Sequence, residues 1–206
     1  MQNEQTRGLL ITLSGPSGSG KGTIVKSLLS KRADTVLSVS ATTRAPREGE
    51  IDGVHYHFID RETFLRMIED NAFLEYAEYN GNFYGTPKAP VEAELLAGHN
   101  VLLEIEVQGA EKVMDSGAEM VSIFITIPSM QELERRLRGR DTETEETILS
   151  RLSIAERELK RAFRYDYVVL NDDVDAAVER IETIIQAENM RYSRMSKTVM
   201  EVLEVC

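Results

Sequence analysis

The sequence has a single cysteine, Cys206 at its last position, and no apolar stretch long enough to span a membrane. One cysteine cannot form an internal disulfide, which fits a reducing compartment, so we expect a cytoplasmic protein with no membrane partner. A terminal residue is usually frayed, which argues against a catalytic role for this cysteine. Residues 1–7 are polar and do not have the pattern of a signal peptide.

Positive charge is also scarce, because 24 lysines and arginines stand against 35 aspartates and glutamates and leave a formal net charge of −11. A generic nucleic-acid-binding protein needs a basic surface, so the charge argues against nucleic acid as a partner. It does not argue against an enzyme of mononucleotides, where a few local arginines determine the field. The 206 residues, 42% of them hydrophobic, are enough for one domain with a proper core.

A glycine-rich segment follows the apolar run 9–13 and leads into apolar residues at helical spacing. Backbone N–H groups of such a loop form a nest for phosphate oxygens, and the following helix adds the positive end of its dipole. Lys21 occupies the position that reaches the β and γ phosphates of a nucleotide. We therefore expect ATP to be bound by the whole segment: Gly15, Pro16, Ser17, Gly18, Ser19, Gly20, Lys21, Gly22 and Thr23.

This loop departs from the usual Walker A pattern at one position. Gly22 stands where a Mg²⁺-binding serine or threonine is usual, and Thr23 follows one residue later. A plain glycine-rich turn is the alternative interpretation. The loop by itself indicates a phosphate donor and does not name the acceptor.

Apolar runs alternate with helical patterns along most of the chain. The predicted strands are 9–13, 36–39, 101–107, 121–127 and 167–170, and the predicted helices are 23–31, 109–116, 129–137, 145–163 and 174–189. This alternation predicts an α/β fold with a parallel sheet and helices on both faces.

Residues 41–98 break the alternation and predict an inserted, partly antiparallel α+β subdomain. The predicted elements within it are short strands at 56–58, 73–79 and 82–84, a helix at 62–69 and a hairpin turn at Asn80-Gly81.

Two polar or weakly patterned stretches follow. Residues 138–147 are polar throughout, and Arg136, Arg140 and Arg151 lie in or beside them. This stretch fits a solvated connection between helices as well as a mobile lid. The tail 191–206 is either a terminal helix, which would offer a surface to a partner, or a frayed end.

The segment after the second strand carries Arg44 and Arg47, with the stiff Pro46 between them. In open parallel sheets, ligands lie beyond the carboxyl ends of the strands. Guanidinium groups match phosphate oxygens in pairs, and the hydroxyls of Tyr56 and Tyr84 would add two further donors. The segment therefore predicts the phosphate site of the acceptor.

Together with the loop at 15–23, the run from 40 to 58 resembles the guanylate kinase family. The segments 73–75, 81–86, 103–109, 140–146 and 171–173 also agree and occur in the family's order. The resemblance covers roughly residues 8–190. It implies a P-loop core at 8–40, 99–137 and 152–190, a GMP-binding subdomain at about 41–98 and a mobile lid at about 138–151.

The resemblance also implies which residues bind GMP: Ser40, Arg44, Arg47, Tyr56, Glu75, Tyr84, Gly85, Thr86 and Glu106. Arginine and tyrosine side chains would hold the phosphate, and Ser40, Glu75 and Thr86 would recognise guanine. Guanine N1–H and N2–H₂ are adjacent donors that one carboxylate can accept, whereas adenine presents an acceptor at N1.

The resemblance also implies catalytic roles for a lysine and four arginines: Lys21, Arg44, Arg136, Arg140 and Arg151. Asn171 and Asp172 would contact ATP, although Asp172 or Asp173 would equally serve as the N-cap of the next helix.

Thr23 and Glu104 would hold Mg²⁺, in part through water. We expect Glu104 and Glu106 to share one face of a strand, although either alone would also fit a surface carboxylate. The chain departs from the family pattern at Gly22, Glu106 and Asp141.

The implied reaction is ATP + GMP ⇌ ADP + GDP with Mg²⁺, and dGMP is expected as a further substrate. The tail 191–206 would support a homodimer. A kinase of another phosphorylated small molecule is one alternative, which the base-reading pair Glu75 and Thr86 disfavours. A phosphopeptide-binding scaffold domain is another, which Lys21 and the lid arginines disfavour because such a module has no use for an ATP loop.

Overall fold

The computed structural model describes residues 7–79, 81–139 and 144–204. Arg140, Asp141, Cys206 and the Asn80 half of the predicted hairpin turn lie outside these residues. The strands are β1 (Leu10–Ser14), β2 (Thr35–Leu37), β3 (Ala41–Thr42), β4 (His57–Phe58), β5 (Phe73–Tyr79), β6 (Asn82–Pro87), β7 (Asn100–Glu104), β8 (Val121–Thr126) and β9 (Tyr167–Leu170).

The helices are α1 (Lys21–Lys31), α2 (Arg61–Glu69), α3 (Lys88–Leu96), α4 (Val107–Asp115), α5 (Met130–Arg138), α6 (Glu145–Leu159), α7 (Val174–Asn189) and α8 (Tyr192–Glu204), with a short 3₁₀ helix at Ala162–Arg164. Within the described ranges, none of these helices combines the length and the apolar character needed to cross a membrane.

The central sheet has five parallel strands in the order β2-β7-β1-β8-β9. All residues of β1 are buried because helices cover both faces. Helices α1 and α7 pack on one face, around Ile11, Leu28 and Ile181. Helices α3 and α4 pack on the other, around Leu10 and Leu103. The predicted α/β fold with a parallel sheet between helices is confirmed.

A second sheet of four strands, in the order β4-β3-β6-β5, is inserted between β2 and β7. Strand β6 pairs antiparallel with both β3 and β5, whereas β3 and β4 are parallel. Helix α2 covers this sheet by placing Phe64 between Phe73 and Phe83, with ring centroids 4.4 and 5.3 Å apart. The predicted inserted, partly antiparallel unit is therefore present.

Helix α3 was not predicted, and it lies inside the predicted 41–98 subdomain. Its buried residues Val91 and Leu95 pack with Leu10 and Val101, so this helix covers the central sheet rather than the inserted one. Pro90 argues against a helix when the sequence is considered alone. Proline is nevertheless tolerated in the first turn of a helix, where the backbone N–H has no helical partner.

The prediction that Glu104 and Glu106 share one face of a strand is wrong. Strand β7 ends at Glu104, which pairs with Leu13 of β1, and Glu106 is already the N-cap residue of α4. The predicted helix 145–163 also ends early, at Leu159, because the chain turns to place the Tyr165 ring against Phe124, with 5.0 Å between centroids.

A candidate phosphate-binding cleft

The glycine-rich loop lies between β1 and α1 at the carboxyl end of the central sheet. Gly20 is the N-cap of α1 and has a left-handed backbone, with φ of 89°. A Cβ atom at Gly20 would overlap the Asn171 side-chain amide, which donates to the Ser19 carbonyl at 2.6 Å. Asn171 in turn donates its backbone N–H to the Thr126 carbonyl at 2.9 Å. The loop conformation is thus tied to the segment after β9.

Lys21 begins α1 and folds its side chain back over the loop. Its Nζ atom donates to the Gly15 carbonyl at 2.5 Å and to the Pro16 carbonyl at 3.1 Å. Burial lowers the pKa of Lys21, and the nearby carboxylates of Glu158, Glu104 and Glu106 act in the opposite direction. The Lys21 ammonium therefore lies among three carboxylates and is bonded to two backbone carbonyls of the loop.

A cleft of about 400 Å³ opens beside this loop. It brings together residues predicted for both substrates and for the metal, and the lining residues are Gly15, Ser17, Lys21, Leu37, Ser38, Ser40, His55, Tyr56, Glu104, Ile105, Glu106 and Glu158. The glycine-rich loop, the carboxyl ends of β2 and β7 and the inserted unit thus surround one cleft. Such a meeting point at the carboxyl ends of parallel strands is where α/β proteins bind nucleotides.

Glu158 is a cleft residue that sequence reasoning missed. Burial raises the pKa of Glu158, while Lys21 and a hydrogen bond from the Ser17 backbone oppose that shift. A helical signal was available, because Glu158 lies three positions after the fully buried Ala155 and so shares its inward face.

Arg44, the first arginine of the acceptor segment, lies between a carboxylate and two aromatic rings. Its Nη1 and Nη2 atoms donate to Glu50 at 3.0 and 2.8 Å. Its Cζ atom lies 5.6 Å from the Tyr56 ring centroid and 5.8 Å from that of Phe58. The Tyr84 ring packs edge-on against the Tyr56 ring, with 6.0 Å between centroids. The structure therefore brings Arg44, Tyr56 and Tyr84 together, as predicted, and adds Glu50, which the sequence reasoning missed.

Arg47 is exposed, and its backbone N–H is bonded to Glu50 at 2.7 Å. Its side chain is thus on the same loop as Arg44 and open to solvent. Ser40 lines the cleft two residues before the Thr42 end of β3.

Glu75 and Thr86 face each other across β5 and β6, as their register requires. The Thr86 hydroxyl donates to Glu75 Oε1 at 2.7 Å. Burial raises the pKa of Glu75, and the Thr86 hydrogen bond and Lys112 oppose it. The other oxygen, Oε2, lies 3.2 Å from where a Cβ of Gly109 would stand, so this carboxylate sits between the inserted sheet and α4. Gly85 on β6 is buried and leaves no room for a side chain beside the Phe73 and Phe64 rings.

The predicted metal ligands are Glu104, which lines the same cleft, and Thr23. Glu104 is the last residue of β7, and its Oε1 is 3.6 Å from the position that a Cβ of Gly22 would take. Burial raises the pKa of Glu104 and the Lys21 charge lowers it. Thr23 is exposed in the first turn of α1. The described residues hold no cluster of three potential metal-binding side chains.

Arg136 on α5 reaches over to the glycine-rich loop. Its Nη2 donates to the Asn171 carbonyl at 3.0 Å, its Nη1 to the Ser19 carbonyl at 3.4 Å and its Nε to Glu132 at 2.7 Å. Arg151 is half-buried on α6, and Arg140 lies outside the described residues.

The two aspartates before α7 have separate partners. Asp173 is the N-cap of α7 and accepts from the Ala176 N–H at 3.0 Å, which settles the capping alternative in favour of this residue. Asp172 forms a salt bridge with Arg180, with 2.7 Å between Oδ1 and Nη1.

Comparison with known proteins gives one consistent family. The family model described as guanylate kinase matches residues 7–188. Guanylate kinase of Clostridium perfringens is 49% identical over 202 residues, which is 98% of this chain and 94% of that protein. Guanylate kinase of Caldanaerobacter subterraneus is 52% identical over 198 residues, 96% of each chain. The crystal structure of guanylate kinase from Anaplasma phagocytophilum is 39% identical with a TM-score of 0.73, covering 92% of this chain and 90% of its own.

Proposed function

This chain belongs to the guanylate kinase family, and we propose that the loop, cleft and arginines described above carry out its reaction, the ATP-dependent phosphorylation of GMP to GDP. The observation that carries the residue assignment is the cleft in which Lys21 of the glycine-rich loop lies together with Ser40, Tyr56 and Glu106. One space thus holds donor-site and acceptor-site residues, as direct phosphoryl transfer requires.

ATP binds with its phosphates in the backbone nest of residues 15–23 at the amino end of α1. Lys21 leaves the Gly15 and Pro16 carbonyls and bonds the β and γ phosphates. Asn171 and Arg136 both bond the Ser19 carbonyl, so they hold the loop in shape. Arg136, Arg151 and Arg140 neutralise the transferred group when the segment around 138–151 closes as a lid.

GMP binds between the inserted sheet and α4. Arg44, Arg47, Tyr56 and Tyr84 hold its phosphate, and the free lone pairs of Glu75 accept guanine N1–H and N2–H₂. The Thr86 hydroxyl fixes the orientation of Glu75, which supports this role. Glu106, at the amino end of α4, faces the same cleft and contacts the base or ribose. The contacts to the phosphate and to guanine do not involve the 2′-hydroxyl of the ribose, so we propose dGMP as a second acceptor.

Mg²⁺ fits beside the loop, because the Glu104 carboxylate faces the space that the missing side chain of Gly22 leaves. Carboxylate, water and phosphate oxygens are the ligands that Mg²⁺ prefers. Glu104 would hold the ion mostly through water, with the Thr23 hydroxyl as the other protein candidate. When bound, Mg²⁺ supplies charge neutralisation on the ATP phosphates.

The residues of this chain need no general base, because the attacking oxygen of GMP belongs to an already ionised phosphate. Their task is alignment and charge neutralisation by Lys21 and the arginines. Closure of the inserted sheet and the lid excludes water, which limits ATP hydrolysis. We also predict a cytoplasmic location and a homodimer formed through the tail, both of which are compatible with this activity.

The test is a coupled assay of ADP release with ATP and Mg²⁺, in which GMP, dGMP, AMP, UMP and dTMP are compared as acceptors. Turnover with GMP and dGMP and little with the others supports the assigned sites. Equal turnover with AMP would remove Glu75 from guanine recognition. Absence of turnover with every acceptor would favour a phosphopeptide-binding module.

A further inference from the structure

Glu50 links the two arginines of the acceptor loop. Its carboxylate accepts from both terminal nitrogens of Arg44, at 3.0 and 2.8 Å, and the side chains of Glu50 and Arg44 are only 18% and 15% exposed. The Arg44 hydrogen bonds, followed by the Arg47 backbone, lower the pKa of Glu50 to about 2. This carboxylate is therefore charged at neutral pH and fixed against one edge of the guanidinium group.

The hydrogen-bond inventory of Arg44 shows which edge is left for a substrate. A guanidinium group has five N–H donors. Glu50 takes one from Nη1 and one from Nη2, and the Ala45 carbonyl takes the second Nη1 donor at 2.7 Å. The Nε–H and the second Nη2–H remain, and these two lie on one edge of the plane. That edge is a fork of the kind that binds two phosphate oxygens.

Glu50 also fixes the backbone on which Arg47 is carried. Its Oε2 atom accepts the Arg47 N–H at 2.7 Å, and the Glu50 N–H donates to the Arg47 carbonyl at 3.0 Å. Pro46 restricts the same turn. One carboxylate thus orients the side chain of Arg44 and closes the loop that carries Arg47.

We propose that Glu50 is a positioning residue for the acceptor phosphate: it holds Arg44 by one edge so that the other edge is turned to GMP. This proposal rests on the proposed role of Arg44 in GMP binding. The competing idea is that Glu50 occupies the place of the phosphate and is displaced when GMP binds. The free Nε–Nη2 edge favours positioning, because phosphate has donors to bind while Glu50 stays in place.

The test uses Glu50→Gln, which keeps the shape and the Arg47 contact but turns one acceptor into a donor facing Arg44. Hydrogen bonds to charged groups are worth enough that their loss raises the KM for GMP by about tenfold to a hundredfold. The KM for ATP stays within about twofold, the scatter of independent sites, because the bonds of Glu50 are to the acceptor loop. The matched control is Glu92→Gln, which removes the partner of Arg7 in another bidentate pair, outside the cleft.

Calorimetry with GMP and guanosine separates positioning from a general structural effect. Positioning predicts that Glu50→Gln weakens binding of GMP and leaves binding of guanosine, which lacks the phosphate, unchanged. Equal weakening of both ligands, unchanged binding of GMP, or tighter binding of GMP would each overturn the proposal. The last of these would identify Glu50 as the competing anion instead.

A double-mutant cycle with Arg44→Ala tests whether Glu50 acts through Arg44. The proposal predicts that most of the Glu50→Gln effect on GMP binding disappears in the Arg44→Ala background; a full, additive effect would overturn it. Normal GMP binding by Arg44→Ala alone would instead refute the assigned role of Arg44. Failure of the positioning proposal and failure of the proposed function are thus read from different variants.

Discussion

Lys21 is the one lysine among the residues that line the described cleft. The protein as a whole has a net charge of −11. Its ammonium stands among Glu104, Glu106 and Glu158, which keep it charged against the cost of burial. We predict that Lys21→Ala lowers kcat by about a hundredfold or more, because a preorganised charge at the transferred group is lost. GMP binding, measured by calorimetry, stays close to that of the unmodified chain.

The control for this prediction is Lys26→Ala, on the exposed side of the same helix. It removes the same charge without touching the loop, so it leaves kcat unchanged. Near-normal turnover of Lys21→Ala would show that the arginines alone stabilise the transferred phosphoryl group.

Glu75 is the residue on which the choice of base depends. The Thr86 hydroxyl occupies one of its oxygens at 2.7 Å, which leaves the other to accept from guanine. We predict that Glu75→Gln lowers kcat/KM for GMP by about tenfold or more, because an amide cannot accept both guanine donors in a buried site. The value for AMP stays level or rises, so the GMP-to-AMP ratio falls in the coupled assay.

Glu78→Gln is the matched control, since Glu78 lies on the same strand β5 but is exposed. Its GMP-to-AMP ratio should equal that of the unmodified chain. If Glu75→Gln also keeps that ratio, guanine is recognised by other residues of the cleft.

At the scale of elements, the loop between β1 and α1 contains two glycines with opposite requirements. Gly20 has φ of 89° and no space for a Cβ atom beside Asn171, whereas Gly22 is helical and has Glu104 Oε1 at an ordinary 3.6 Å from a Cβ. We predict that Gly20→Ala distorts the loop, at a backbone cost of about 1–2 kcal/mol plus the clash, and strongly weakens ATP binding. Gly22→Ala retains ATP binding and stabilises α1 by up to about 1 kcal/mol.

Calorimetry with ATP and thermal unfolding check this pair, each variant serving as the control for the other. Similar loss of ATP binding in both variants would mean that the loop tolerates no side chain in either position. Gly22→Ser adds a further test of the metal site, since a hydroxyl beside Glu104 should lower the Mg²⁺ concentration needed for half-maximal turnover.

Elements with strong local signals could be predicted from the sequence. Strand β9 and helix α7 have the predicted bounds, because an apolar run and a long helical repeat are separated by Asn171, Asp172 and the capping Asp173. Strand β3 could not be predicted, since Ala41–Thr42 is a strand only through its pairing with β4 and β6. The same limit applies to the site: motif residues were found, whereas Glu158 depends on contact with the distant loop at Ser17 and Lys21, and Glu50 on the way its own loop folds back onto Arg44.

At the scale of the whole molecule, the residues proposed to bind ATP and those proposed to bind GMP lie largely on different sheets. The central sheet carries the loop and Glu104 at the ends of β1 and β7, and the inserted sheet carries Glu75, Tyr84 and Thr86. The cleft between them has room for the reacting ends of both substrates. We expect phosphoryl transfer to depend on relative movement of these two units, each of which has its own packed core.

The remaining feature of the whole molecule is helix α8, whose apolar side chains are not covered by the rest of the described chain. Tyr192, Met195, Val199 and Val202 are spaced by three, four and three residues and are 70, 38, 44 and 64% exposed. Such a repeat is the seam of a two-helix coiled coil.

We therefore predict that the protein forms a dimer through α8 and that Val199→Glu converts it to a monomer, because a charge in the seam would be buried without a partner. Light scattering after size exclusion measures this, with Ser193→Glu, an exposed position of the same helix outside the seam, as the control that stays dimeric. Both variants keep the kcat of the unmodified chain, since every residue assigned to the cleft comes from one chain. A monomeric unmodified protein would refute the dimer and leave the apolar seam to another partner, and loss of turnover in Val199→Glu alone would mean that pairing of α8 also supports the cleft.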